Sequence, residues 1–366
     1  MKRAAFAVLF LVLGTVLGWS DVMTFQAYPP DQAFRLLMND YAWRIFATGE
    51  IDDDAGKRLA ELMAQKKIPA ASRVYLQSPG GSLLGGMALG RVIREHQLKT
   101  FIGQRDTSLK YVGGKPGYCY SACATAFLGG EFRYWTEGSI YGVHRFFWKS
   151  QSADDAALAQ IMSAALVEYI RSMGVDTKIF ALASQAGSNE LITPPHDVLL
   201  ALNVVNDGRK PPKWTVESIP DAVYLKGEQE TDNGVNKFML GCPPGDSTMV
   251  LYAIFEGGNN AERDIRWPVN WLFLNHSPIR LDKQLARKDI TSGKINLIYR
   301  LDSNLIAAIS RARFVGVGIQ PTPEAKVFLG FDSMPFEEGA IKMPGLTSMC
   351  GWQRNRSEAG RSPGGQ

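Results

Sequence analysis

Three short segments carry residue types that could share one reaction: Ser78-Pro79-Gly80-Gly81-Ser82, Cys119-Tyr120-Ser121-Ala122-Cys123-Ala124 and Gly142-Val143-His144-Arg145. A hydroxyl becomes a nucleophile when an imidazole takes its proton, and the oxyanion that results needs N–H donors aimed at it. Ser121 is the candidate nucleophile and His144 the candidate base. A Pro-Gly-Gly turn bares its backbone N–H groups, which makes Gly80 and Gly81 candidate oxyanion donors together with the N–H of Ala122. The chemistry so assembled is acyl transfer. Each residue also has an ordinary role. Ser121 stands where a glycine-rich coil enters an Ala-rich apolar run, a place where serine caps helices, and Pro-Gly-Gly closes many plain turns. Of the four histidines, His96 falls near a helix end, His196 follows Pro194-Pro195 and His276 follows Asn275 in a turn. His144 ends a β-type run, from which a side chain can project into a cleft.

The elements that must position these residues alternate. Residues 42–48, 73–77, 100–103 and 140–144 read as strands, and residues 52–65, 82–96 and 121–128 as helices. A longer helix starts near Ser152 and ends at Gly174, with Leu158, Ile161, Met162, Ala165, Leu166, Tyr169 and Ile170 at helical spacing. Strand–helix alternation of this kind predicts an α/β domain over residues 21–206. Residues 207–214, rich in turn residues, charge and proline, read as a linker. Beyond it, β-type runs at 249–255, 271–274, 294–301, 313–319 and 326–331 predict a second, β-rich domain over residues 215–352, with a sandwich as one solution. The polar residues 353–366 are expected to be a disordered tail.

Composition narrows the setting. The 366 residues are 45% hydrophobic, enough for two cores, and 40 basic against 36 acidic side chains leave a formal charge of +4. Two of the positive charges are Lys2 and Arg3, so no concentrated basic stripe remains and nucleic acid is excluded as an expected partner. Residues 1–20 have the form of a signal peptide or an uncleaved N-terminal anchor: Lys2 and Arg3, an apolar run, then small residues at Gly18 and Ser20. A periplasmic or secreted protein is expected, touching a membrane only through that segment. Four cysteines in an exported chain allow two disulfides in three pairings. Pairing within domains joins Cys119 to Cys123 and Cys242 to Cys350. A disulfide is then the ordinary fate of Cys119 and Cys123, ahead of a thiol nucleophile, and the cysteine pattern lacks the four ligands of a zinc site.

Taken in order, the three segments resemble the Clp-type serine peptidase family of the crotonase-like superfamily. In that family a Ser-Pro-Gly-Gly turn precedes the nucleophile, a small-residue helix carries the serine and a strand end carries the histidine. The stretch Leu191-Ile192-Thr193-Pro194-Pro195-His196-Asp197-Val198 is similar to the segment before that family's last strand. The resemblance spans residues 41–206 and implies a repeated ββα superhelix. It also implies a serine hydrolase, exported if residues 1–20 are a signal, most simply a peptidase, acting through an acyl-enzyme without metal or organic cofactor. Its substrates would be loose peptides or unfolded chains. Relatives form rings, so a homo-oligomer stays open, while an ATP-driven unfoldase is not expected outside the cytosol. The family's acidic third residue falls on Asn189, with Glu190 beside it. Three outcomes stay open. Asn189 orients His144, Glu190 substitutes by a one-residue shift, or the site is weak or silent and the fold serves as a peptide-binding protein.

Overall fold

Alternating side chains in residues 44–48, 73–77 and 99–102 place Ile45, Ala47, Val74, Leu76 and Ile102 on one face, all buried, so these runs can fold only as strands with a helical layer over them. The computed structural model describes residues 21–32, 35, 40–145, 155–187, 190–220, 222–243 and 248–359. The described chain divides into two units between Asp207 and Gly208.

The first unit runs β1 (Thr24–Tyr28), β2 (Arg44–Thr48), α1 (Ala55–Lys66), β3 (Arg73–Gln77), α2 (Leu83–Glu95), β4 (Lys99–Ile102), β5 (Gln104–Asp106), β6 (Gly113–Lys115), β7 (Tyr118–Tyr120), α3 (Ala122–Phe127), β8 (Arg133–Tyr134), β9 (Ile140–Gly142), α4 (Asp155–Ser172), α5 (Lys178–Gln185) and α6 (His196–Ala201). Its main sheet has the order β1-β2-β3-β4-β8. Strand β1 is antiparallel to β2, and the other pairs are parallel. Parallel neighbours need a crossover, supplied here by α1 and α2. Their apolar faces, with Leu59, Met63, Leu89 and Ile93, close one core with Phe127. On the opposite face Phe46, Tyr75, Phe101 and Tyr134 stack across β2, β3, β4 and β8 at 4.9, 4.9 and 4.5 Å between ring centroids.

After each long strand the chain makes a second, shorter extended segment before its helix. These segments pair through parallel bridges, Val22 with Glu50, Ile51 with Gly81 and Ser78 with Cys119, and through the parallel pair β7–β9. This second ladder carries the site. Helix α4 presents less of its stripe to the core than its spacing predicts. Met162, Tyr169 and Ile170 are buried, but Leu158 and Ile161 remain 41% and 63% exposed, because the apolar stripe is wider than the layer beneath it.

The second unit comprises β10 (Lys213–Ile219), β11 (Ala222–Thr231), β12 (Gly234–Gly241), β13 (Val250–Glu256), α7 (Ala261–Asp264), β14 (Val269–Leu274), β15 (Ser277–Arg280), β16 (Leu285–Thr291), β17 (Lys294–Arg300), α8 (Ser303–Ile309), β18 (Phe314–Gln320), β19 (Leu329–Pro335) and α9 (Glu337–Ala359). An antiparallel sheet ordered β10-β11-β12-β13-β17-β16 and a second ordered β15-β14-β18-β19 share one core, with Leu225, Phe238 and Leu251 from the first and Leu272, Val315 and Val317 from the second. Two boundaries differ from the sequence reading. Lys213 and Trp214 belong to β10 rather than to a linker, because Trp214 is buried and donates its Nε1–H to Pro335 O at 2.9 Å. Residues 353–359 continue α9 instead of starting a disordered tail, since a helix anchored upstream by the Cys242–Cys350 bridge propagates through polar residues at little further cost.

Both disulfides join the expected partners, Cys119 with Cys123 and Cys242 with Cys350. They are the mark of an oxidising, extracytoplasmic compartment. No helix among the described residues is long and apolar enough to cross a membrane. The signal or anchor expected in residues 1–20 lies outside the described residues.

Candidate active site

Two serines open helices in the first unit, and only one of them caps. Ser82 precedes α2 in extended backbone, and its Oγ accepts the N–H of Gly85 at 3.1 Å while donating to Asp53. Ser121 precedes α3 at φ 56° and ψ −120° and makes no capping hydrogen bond. A non-glycine residue held there carries roughly 1–3 kcal/mol of backbone strain and persists only where its surroundings over-determine it. Strand β7 leads in and α3 leads out, so Ser121 sits on a sharp strand-to-helix turn with its side chain on a cavity. Serine hydrolases with a nucleophile elbow expose their serine on a turn of this kind.

The turn is held from several sides. Ser121 donates its N–H to Gly142 O at 2.9 Å, and Tyr120 donates to Ser78 O at 3.1 Å. Helix α3 is fixed at its far end by two arginines that collect carbonyls. Arg94 Nε donates to Gly129 O at 2.8 Å, and Arg133 Nη1 donates to Gly130 O at 2.8 Å. Burial, with Arg94 nearby, pulls the Arg133 guanidinium down to about 10. Tyr141 and Tyr169 donate to Ala124 O and Thr125 O, and burial pushes both phenols up.

The Pro-Gly-Gly turn faces the serine across a contact only glycine permits. A Cβ on Gly80 would lie 2.7 Å from Ser121 Cβ, and one on Gly81 would lie 2.1 Å from Ile51 O; both residues have positive φ, 111° and 133°. The two glycines are not equivalent donors. Gly80 gives its N–H to Ser78 Oγ at 3.1 Å, which removes it as an oxyanion donor. Around Gly81 the bridge is made by Ile51 N–H to Gly80 O and Ser82 N–H to Ile51 O, both 2.7 Å, so the N–H of Gly81 stays out of the pairing. Ala122 is the first residue of α3, a position whose N–H has no acceptor within the helix.

His144 lies just past β9. Next to it Val143 N–H donates to Ile192 O at 2.9 Å and Ile192 N–H to Val143 O at 2.8 Å, which ties the histidine to the Leu191-Ile192-Thr193 segment. His144 Nδ1 is 2.8 Å from Arg145 O. A carbonyl only accepts, so the contact is a hydrogen bond in the tautomer that carries its hydrogen on Nδ1 and its lone pair on Nε2. The Arg145 carbonyl is thus a group placed to orient the ring. No residue-type signal reveals it, because every residue has a carbonyl. Asn189 lies outside the described residues. Glu190 Oε2 accepts the N–H of Gly187 at 3.0 Å, within its own turn.

Ser121, Ala122, Gly81 and His144 line one cavity of about 660 Å³. Its lining is mixed, with the apolar Leu128, Met162, Ile170, Ile179 and Phe180 beside the polar Glu50, Asp53 and Ser82. Met162 and Ile170 have the sequence signature of ordinary core residues, and nothing in their spacing distinguishes a cavity wall from a filled core. The other histidines stay out of the cavity. His96 follows α2, His196 Nε2 is 3.0 Å from Asp207 Oδ2 with its ring on Trp135, and His276 lies in the β14–β15 turn against Phe314. Among the described residues no three His, Cys, Asp or Glu side chains gather closely enough to share a metal ion.

Among solved structures the chain is similar to a ClpP1 mutant from Listeria monocytogenes, at 17% identity and a TM-score of 0.32, over 43% of this chain and 85% of that one. No family model matches the chain. No curated protein matches it.

Proposed function

We propose that this chain is an exported serine hydrolase of the peptidase kind. One observation carries the reading: Ser121 is held uncapped on a strained strand-to-helix turn and lines the same cavity as His144. His144 Nε2 removes the Ser121 proton as Oγ attacks the acyl carbon. The N–H groups of Gly81 and Ala122 receive the oxyanion. The tetrahedral intermediate collapses to an acyl-enzyme as His144 returns the proton to the leaving amine, and water then releases the acyl group by the same route in reverse. Extended peptides and unfolded chains are the substrates that fit an open cavity beside a short strand ladder. A fluorophosphonate probe tests the reading. The wild type is expected to take one adduct on the peptide containing Ser121, and Ser121→Ala none. Equal labelling of both, or of neither, overturns it.

A second reading has one observation in its favour. The Glu190 carboxylate is engaged with Gly187 N–H, which fits a peptide-binding protein with little turnover. An unlabelled wild type that still binds extended peptides supports that reading over the first.

A further inference from the structure

The disulfide Cys119–Cys123 brackets Ser121, with one cysteine two residues before it on β7 and the other two residues after it on α3. Its Cα atoms are 5.1 Å apart. Four residues of extended chain would span about 13 Å. With Cys119 on β7 and Cys123 on α3, the chain meets that separation by turning at the residue between, which is Ser121. Nucleophile elbows of serine hydrolases carry glycine at these two positions. Here two larger side chains occupy them and are bonded to one another, both fully buried in the core of the first unit.

Hydrogen bonds hold each of the two arms. Tyr120 N–H to Ser78 O and Ser78 N–H to Tyr118 O hold β7, while Arg94 and Arg133 hold the far end of α3. At the junction the Ser121 N–H bond to Gly142 O and the Thr125 N–H bond to Ser121 O act across the strained residue, and Tyr141 on β9, the strand paired with β7, donates to Ala124 O of α3. The disulfide is the covalent tie between the arms. Loop-closure entropy grows with the length of chain enclosed, so a bridge with a sequence separation of 4 contributes less to global stability than the Cys242–Cys350 bridge with a separation of 108.

We propose that the Cys119–Cys123 disulfide positions the nucleophile, holding the strand-to-helix angle at which the Ser121 hydroxyl and the Ala122 N–H face the same point of the cavity. The proposal rests on Ser121 being the nucleophile. The two cysteines are positioning residues, since neither sulfur lines the cavity.

The test measures fluorophosphonate inactivation over a range of reagent concentrations, which separates the bond-forming rate constant from reagent affinity. Wild type, C119A/C123A, the volume-refilling pair C119V/C123A and the distant pair C242A/C350A are compared, with far-UV circular dichroism as the check on folding. Either bracket variant that keeps the wild-type spectrum is expected to lose at least about tenfold in the bond-forming constant with affinity unchanged, a loss of about 1.4 kcal/mol in transition-state stabilisation. C242A/C350A is expected to react at the wild-type rate. A wild-type bond-forming constant in a folded bracket variant overturns the proposal and leaves the nucleophile intact. Unfolding of both bracket variants also overturns it, because the bridge would then hold the unit and not the turn. A wild type that does not react removes instead the reading beneath it.

Discussion

The turns at Ser82 and Ser121 begin with the same residue type and end in a helix, yet they differ in backbone and in capping. Ser82 sits in relaxed extended backbone and gives its oxygen to its own helix. Ser121 sits in strained backbone, leaves its helix uncapped and turns its hydroxyl to a cavity. A serine that follows the local rule is explained by the rule. One that breaks it, inside a bracket of hydrogen bonds and a disulfide, is where the proposed reaction places its nucleophile.

Removing the base from the Ser121 turn has the largest expected effect on this contrast. His144→Gln should slow probe inactivation by about 10²–10⁴-fold, the usual contribution of a general base, as read from stopped or discontinuous labelling kinetics. A Gln variant that reacts at the wild-type rate would leave Ser121 no more activated than Ser82. Gly81→Ala comes next. It places a Cβ 2.1 Å from Ile51 O at a φ of 133°, so a loss of about 2–4 kcal/mol is expected in urea denaturation, with slower labelling in whatever remains folded.

Exchanging each serine for alanine sharpens the comparison most cleanly. Ser82→Ala should cost about 1 kcal/mol of stability, the value of an N-cap, and leave labelling unchanged. Ser121→Ala should leave stability within about 0.5 kcal/mol, the range expected where no cap or core contact is lost, and abolish labelling. The smallest effect concerns the start of α1 beneath Ser82. The Asp52 carboxylate is lowered from 3.8, first by the hydrogen bond from Arg58. Its folded form is therefore favoured above pH 3.8, and that contribution is lost as pH falls below 3.8. Because the pair is partly exposed, the loss should stay under about 1 kcal/mol, seen as a lower thermal midpoint in the wild type that shrinks in Asp52→Asn.

Much of the first unit was legible, because its signals are local. Residues 73–77 alternate as a strand must, Ser82 and His96 bound α2 where capping chemistry puts them, and Gly80 and Gly81 occupy backbone that a side chain would block. Of the three pairings that four cysteines allow, the favoured in-domain one is the one observed. What stayed illegible is relational. The strain at Ser121 comes from β7 and α3 meeting there, while the residue type reads as a cap. The roles of Gly80 and Gly81 separate only once Ser78 Oγ is in place. In the second unit β11 and β12 were missed because Lys226, Glu228 and Lys237 pair with one another on an outer face, and such charge hides the strand period.

The most direct measurement is a crystal structure of the phosphonylated protein. The phosphorus is expected on Ser121 Oγ, with its oxygen about 2.7–3.1 Å from the N–H groups of both Gly81 and Ala122 and the His144 ring alongside. A phosphonyl oxygen turned to solvent, or an adduct on any other residue, would contradict the account.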